Sequence, residues 1–571
     1  MKKRKFMLPF FTLLLFIIIA ATVFILLIKN TNKVNQDAVD TSAYLTPLPT
    51  QAVTPTVTPL PTQVPVKTTE LYPAYEVVND QKLYGYINKT GSFVIPPSFD
   101  VANDFSDGVA NVTIEGKNCV IDEKGSILYN GEATISDFHN GLASFYTWND
   151  DNISSYGYMD TTGTVVIDAK YTAASDFNKD GTAYVSTGDG KYALIDKTGK
   201  ELETYEIDKK YNNPYYIQDG YLLYSNADSF KYGVINMKGE EIFKPIYSEI
   251  TYLGEGLFAV KSPDLDDYDK IMAAKQAIFN QDGEQLTDYI YYDISSYKND
   301  YCSASDETST FFVGLDGKEA TNLPKFDGGG TLKLFGDVVS AYIDDEQFYC
   351  NLDGSIFWQQ PSFYKLSDTL KVNKIKYRPN RYVLVNYPQL EGLSDASIQK
   401  QINDQLKSLF TDARALITEA DLLTTDDSFN AKLMNNLLIV ERDGYDYTLG
   451  AAHGMPIKDF FYIDLTTGTF YQLQDLFKAD SDYTTKINEM IQAEITANTN
   501  SGDAMYLPDS FTGIDPNQSF MLAVDSLIIY FYPYDIAAFA AGFPEFTIPF
   551  EDIMDNIDTE GAFWKSFHAA K

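Results

Sequence analysis

Apolar and polar residues alternate in short runs along most of this chain, and polar turns ending in glycine separate the runs. YGYINKTG at residues 84–91 returns as YGYMDTTG at 156–163, YALIDKTG at 192–199 and YGVINMKG at 232–239. Aligned on the turn glycine, eight copies end at Gly91, Gly125, Gly163, Gly199, Gly239, Gly283, Gly317 and Gly354, spaced 34 to 44 residues apart. A period of that size marks a repeat architecture.

Each column of the repeat has a physical reading. Four positions before the glycine stand Ile87, Ile121, Met159, Ile195, Ile235, Phe279, Val313 and Cys350, the buried face of one strand. Three before it stand Asn88, Asp122, Asp160, Asp196, Asn236, Asn280, Gly314 and Asn351. An Asx side chain bonds the backbone two residues on, and glycine accepts the positive φ that closes a hairpin. Six before it, Gly85, Cys119, Gly157, Ala193, Gly233 and Ala277 are small, which predicts close approach by a neighbouring chain or an aromatic ring. Phe311 and Phe348 break that column, so the end of the array is expected to pack differently or to act as a cap.

A second phrase recurs between the turns: DFSDGVANV from Asp104, DFHNGLASF from Asp137, DFNKDGTAYV from Asp176 and LGEGLFAV from Leu253. It predicts a tight turn followed by a half-buried strand. One unit cannot cover its own apolar face, so stacking on the next supplies the core. The spacing suits a closed β-propeller and an open solenoid equally.

After about Lys371 the pattern changes. SDASIQKQINDQLKSLF predicts a helix with Ser394 as N-cap and Ile398, Ile402, Leu406, Leu409 and Phe410 on one face. FFYIDLTTGTFYQLQDLF predicts a hairpin turning at residues 466–468, and SDYTTKINEMIQAEI a helix buried through Tyr483, Ile487, Met490, Ile491 and Ile495. The strands LIIYFYP and FTIPF follow, so this part is α+β. Tyr530, Tyr532 and Tyr534 alternate there, either as core or as a tyrosine row offered to a partner.

The two ends of the pattern differ again. Residues 8–28 carry no charge and, as a helix, would span about 31 Å, the thickness of a bilayer's apolar core. The basic residues Lys2, Lys3, Arg4 and Lys5 precede them and place the remainder outside the cytoplasm. Proline and threonine dominate residues 41–69, which reads as an extended stalk. The expected order is a cytoplasmic tail at 1–7, a transmembrane helix at 8–28, a linker at 29–70, a β-repeat array at 71–365 and an α+β domain at 371–571. The chain is thus expected in the cell membrane, single-pass, its bulk extracytoplasmic.

Composition narrows the chemistry. The 571 residues hold 44 basic and 80 acidic side chains, a net charge of -36, which disfavours nucleic acid as a partner and permits a cationic one. Three cysteines exclude a disulfide scaffold; Cys302 and Cys350 either pair or sit buried as small apolar residues. With three histidines, metal sites and histidine-driven hydrolysis have little material, and no cofactor is expected. His139 reads as a solvated turn residue and His568 as part of a frayed terminus. SPDLDDYD at 262–269 lacks the glycine and distal glutamate of a calcium loop and reads as a solvated acidic insertion. His453, in GAAHG, is either a brace for its loop or a ligand contact together with Gly454.

The turn Y/W-G-Y-I-D-x-x-G followed by F-x-x-G-L-A-x-V resembles the WG-repeat family of bacterial proteins over about residues 75–364. That resemblance implies a binding or scaffolding array. YPQLEGL, GAAHG, the DLTTG turn, DLFKADSDYTTKIN and YFYPYDIAAFAAGFPEFTIPF resemble, over residues 382–557, the extracytoplasmic domain of RsiV-type anti-sigma factors, which also occurs in peptidoglycan deacetylases. In that family the domain receives a ligand, best known as lysozyme, a strongly basic protein. The segment MKKRKFM is too short to hold a sigma factor, so the signalling role does not transfer. The expectation is a binding or sensing protein, not an enzyme, for peptidoglycan or a basic protein, with His453, Gly454, Tyr530, Tyr532 and Tyr534 as candidate contacts. The alternative is a peptidoglycan-modifying enzyme that uses acidic residues.

Overall fold

The computed structural model describes residues 70–568 except 79–80, 149–153, 226–230, 264–267 and 502–505. Among the described residues no helix is long and apolar enough to cross a membrane. The expected tail and spanning helix, all but the last residue of the linker and residues 264–267 of the acidic insertion lie outside the described residues.

From Tyr72 to Gln359 the chain forms eight small antiparallel sheets of three or four strands, each built from consecutive strands. The turn chemistry explains the repetition. Asp122 Oδ1 accepts from the Lys124 and Ser126 amides, both at 2.8 Å, and Asp160 Oδ1 from Thr162 and Thr164 at 2.9 and 3.0 Å. Asn88, Asp196, Asn236 and Asn280 repeat this double capture. All eight turn glycines have φ between 74° and 82°. The apolar column is buried throughout, from Ile87 at 0% exposed to Phe279 at 5%.

The small column is filled by backbone, joined at Gly233 by the Tyr224 ring 2.8 Å from a Cβ placed there. A Cβ on Gly85, Gly157 or Gly233 would lie 2.4 to 2.5 Å from the carbonyl oxygen of Ile95, Ile167 or Phe243. In each of these sheets the strand after the glycine's own shifts register at that point and presses a bulge onto the glycine.

Apolar clusters join each sheet to the next around the array. A further cluster joins the eighth sheet to the first through Tyr72, Ala74, Ile87, Val338 and Tyr349. The buried Tyr349 hydroxyl donates to the Pro73 carbonyl at 2.8 Å, and Tyr75 stacks edge-on to Trp358. The array therefore closes on itself in the manner of a propeller. Its last unit packs differently, Phe348 pairing with Gln359 where the glycine copies carry a bulge, and it is the partner of the first. Cys119, Cys302 and Cys350 are free and buried, in three different clusters. Burial pushes the Cys302 thiol up to about 12.

A seven-stranded sheet follows, opened by Phe363–Lys365 and Lys371–Asn380. Its one parallel pair, Val383–Glu391 with Leu423–Met434, needs a crossover, and the helix Ala396–Thr411 supplies it. Asp395 caps this helix, accepting from the Ser397 and Ile398 amides, one residue beyond the expected Ser394. Ile402, Leu406 and Phe410 are buried as expected, whereas Leu409 is 39% exposed because it falls outside their stripe. Leu438 and Val440 pack under this helix; Leu437 and Ile439 point to the opposite face. There they meet the helix Tyr483–Ser501 through Ile487 and Ile491, with the small sheet Phe520–Leu522, Ser526–Tyr530 and Glu545–Pro549.

Basic residues on and just after Lys371–Asn380 fasten this part to the ring. Arg378 Nε lies 3.1 Å and Lys376 Nζ 3.4 Å from the buried carboxylate of Asp344, and Arg381 stacks on Tyr292 at 3.2 Å.

Candidate functional site

The five residues singled out by sequence separate into a frame and an exposed tip. The strand Ser526–Tyr530 ends before Tyr532 and Tyr534, so the three tyrosines do not form one row. Pro533 has no N–H to continue a ladder, and Tyr534 takes a left-handed φ of 74°. Tyr530 is 1% exposed and donates to the Lys458 carbonyl at 2.6 Å. Tyr532 reaches the same carbonyl at 2.9 Å and Asp459 Oδ1 at 2.8 Å. These two are framework; burial and the Asp459 carboxylate raise the Tyr532 hydroxyl well above its ordinary pKa.

Tyr534 turns outward instead, 51% exposed, and meets the GAAHG loop. The His453 ring stacks on Phe539 at 3.9 Å between centroids and lies nearly parallel to Tyr534 at 6.2 Å. Its Nδ1 is 3.0 Å from the Gly454 carbonyl and its Nε2 3.1 Å from the Tyr534 hydroxyl. A carbonyl only accepts, so Nδ1 carries a proton and donates to Gly454, while Nε2 is hydrogen-bonded to the Tyr534 hydroxyl. One nitrogen thus ties the ring to its own loop and the other holds Tyr534. Gly454 is dictated by space, since a Cβ there would lie 2.4 Å from the Asp446 carbonyl and 2.5 Å from the Tyr445 ring. The Tyr445 hydroxyl accepts the Gly454 amide at 2.9 Å, and its ring, 44% exposed, widens the aromatic tip together with Met455.

Beneath the tip lies a charge cluster that periodicity did not single out. Asp427 is fully buried and accepts from Arg414 Nε at 2.9 Å and Nη2 at 3.1 Å, and from Arg442 Nη2 at 2.5 Å. Arg414 also pairs with Asp446 at 2.9 Å, and Arg442 with Asp459 at 3.6 Å. The cluster thus grips the two strands that flank the GAAHG loop, Leu437–Thr448 and Met455–Asp464, and its Asp459 also accepts from the Tyr532 hydroxyl. Its signal was in the sequence: Thr425, Asp427 and Phe429 alternate on one strand face, so a carboxylate sits in a buried column and demands a cation.

The remaining histidines are engaged. His139 is exposed in its turn, as expected, and its Nε2 lies 3.4 Å from Asp176 of the next unit. His568 is not frayed, for it stacks on Trp564 at 3.7 Å and bonds its carbonyl at 3.2 Å.

The molecule is a closed β-repeat array joined to an α+β domain with a rigid aromatic tip. Its sequence carries WG containing repeats, matched at 84–117, 156–192 and 232–262, and a domain of the protein family of unknown function DUF3298, matched at 474–551. The peptidoglycan-N-acetylmuramic acid deacetylase PdaC of Bacillus subtilis is 22% identical over 160 residues, 27% of this chain. The chain spans 34% of that deacetylase's length. Among solved structures, a DUF3298 family member from Bacteroides fragilis is 18% identical, covering 35% of this chain and all of its own, with a TM-score of 0.27. BamB from Moraxella catarrhalis is 13% identical, covering 48% of this chain and 92% of its own, also with a TM-score of 0.27.

Proposed function

We propose that this chain is a membrane-anchored, extracytoplasmic binding protein that presents its C-terminal domain to a cell-wall component or a cationic protein, without catalysis of its own. The observation that carries the reading is the exposed His453, Tyr534 and Phe539 stack, fixed from below by the Asp427 cluster and the Tyr532 bonds. Rigid aromatics lose little entropy on contact and serve as anchors in recognition. The net charge of -36 favours encounter with a basic partner. The name of the Bacillus relative ties a protein containing a similar stretch to peptidoglycan.

The test is binding of the full-length protein to lysozyme and to peptidoglycan fragments across a salt titration. Tyr534→Ala weakens binding at least about five-fold, with unfolding temperature unchanged, because the ring is an exposed contact. Absence of binding to either at low salt overturns the proposal. Release of acetate or sugar from purified peptidoglycan would replace it with the enzymatic alternative.

A further inference from the structure

Where the fourth, fifth and sixth sheets of the ring meet, they leave a groove of about 370 Å³ lined by Tyr184, Tyr205, Asp219, Tyr221, Glu240 and Asp282, among others. Its chemistry is one-sided. The Tyr221 hydroxyl donates to Gln281 Oε1 at 3.2 Å, and Tyr252, behind it, donates to Asp219 Oδ2 at 2.8 Å. Tyr205 donates to Glu203, and the Asn236 amide to Glu240 Oε2 at 2.6 Å. These donors are committed within the wall. What the wall still offers is carboxylate lone pairs, tyrosine faces and the Gln281 amide N–H groups, and Lys238 is the one cation among the described lining residues. Burial pushes the Asp219 carboxyl above its ordinary range against the Tyr252 hydrogen bond, and Glu255 adds to the push.

An anion is repelled here, and a neutral sugar finds few donors for its own oxygens. An ammonium or guanidinium brings positive charge and donors alone, which carboxylates and aromatic faces both receive. We propose that this groove receives a lysine or arginine side chain of a basic peptide segment. It is a second contact, on the ring, for the cationic partner named above; that partner rests on the preceding reading, whereas the groove's cation preference does not.

The test is anisotropy of fluorescein-labelled tetra-arginine with the full-length protein at about 150 mM salt, where long-range screening is already strong. The double variant Glu240→Gln with Asp282→Asn removes two exposed charges without touching the core, and it weakens binding at least about five-fold. A control with the same change in net charge, Asp353→Asn with Glu560→Gln, lies outside the groove and shifts binding less than about two-fold. Equal weakening by both pairs, or none by the first, overturns the groove. Tyr534→Ala separates the two proposals: it spares tetra-arginine binding while weakening lysozyme. If Tyr534→Ala abolishes tetra-arginine binding and the groove variant does not, the groove falls and the C-terminal reading stands. If lysozyme binding ignores Tyr534→Ala while the groove variant loses tetra-arginine, the reverse holds.

Discussion

Replacing Asp427 by asparagine tests whether the ionic cluster holds the second domain together. The carboxylate is 0% exposed and receives three N–H groups from Arg414 and Arg442 at 2.5 to 3.1 Å. The amide in its place would keep the shape and one accepting oxygen, and would turn an NH2 toward a guanidinium. Two buried cations would then face each other without the carboxylate that bridges them, each left with one outer partner, Asp446 at 2.9 Å and Asp459 at 3.6 Å. Breaking one partner of such a buried set costs about 3–5 kcal/mol. For a unit of roughly 200 residues that lowers the unfolding temperature by about 6–20 °C. Calorimetry of the full chain is the assay, followed through the transition of the α+β part, with the ring's transition unchanged. Adding Arg442→Met removes the more weakly matched of the two cations, the one held only by Asp459 at 3.6 Å, and recovers about half of the loss, a coupling that independent sites would not show. A drop below about 1 kcal/mol for Asp427→Asn, or strict additivity of the two changes, refutes this reasoning.

Three further outcomes follow from the geometry. Gly157→Ala puts a Cβ 2.5 Å from the Ile167 carbonyl, so the bulged strand must move, and urea unfolding shows a loss of about 1–3 kcal/mol in the ring. Tyr349→Phe removes the buried bond to the Pro73 carbonyl and lowers ring stability by about 1–2 kcal/mol in the same measurement. The Asp426 carboxyl is pushed up to about 7, first by burial and then by its hydrogen bond with Asp345 and that group's charge. Its raised value means that the folded state keeps a proton which the unfolded chain releases near about pH 4. Stability from this group is therefore full below about pH 4 and is lost as pH rises through about 7. Although its carboxyl is crowded by neighbouring groups, residue 426 as a whole stays open to solvent, and screening reduces the effect to about 1 kcal/mol. Thermal unfolding of Asp426→Asn gains on the native chain by that amount between about pH 5 and pH 8.

The hairpins were legible because their causes are local: the Asx residue and the glycine of each turn act within a few residues of each other. The ring closure was not, because it depends on Tyr349 reaching Pro73 across 276 positions, a relation no period encodes. In the second domain the buried stripes of both helices followed from spacing, apart from Leu409, while the N-cap moved one residue to the stronger acceptor, Asp395. Alternation misled at Tyr532 and Tyr534 because the strand ends at Tyr530 and Pro533 cannot continue a ladder. Of the candidate site, His453 and Tyr534 proved to be neighbours, Gly454 a requirement of space, and Tyr530 and Tyr532 supports. The cluster below them escaped a pattern that counts apolar residues, since arginine and aspartate paired over 13 and 15 positions leave no hydrophobic trace.

Among the described residues, the first and eighth sheets meet through side chains and no ladder joins them. A propeller latched by an exchanged strand has its circumference fixed by that strand's hydrogen bonds. Here a gene duplication or deletion that added or dropped one hairpin unit would only have to re-match two greasy faces at the seam. Repeat number is thus free to drift in descendants of this chain, with the fit of Tyr72 against Tyr349 as the gate each new ring size must pass.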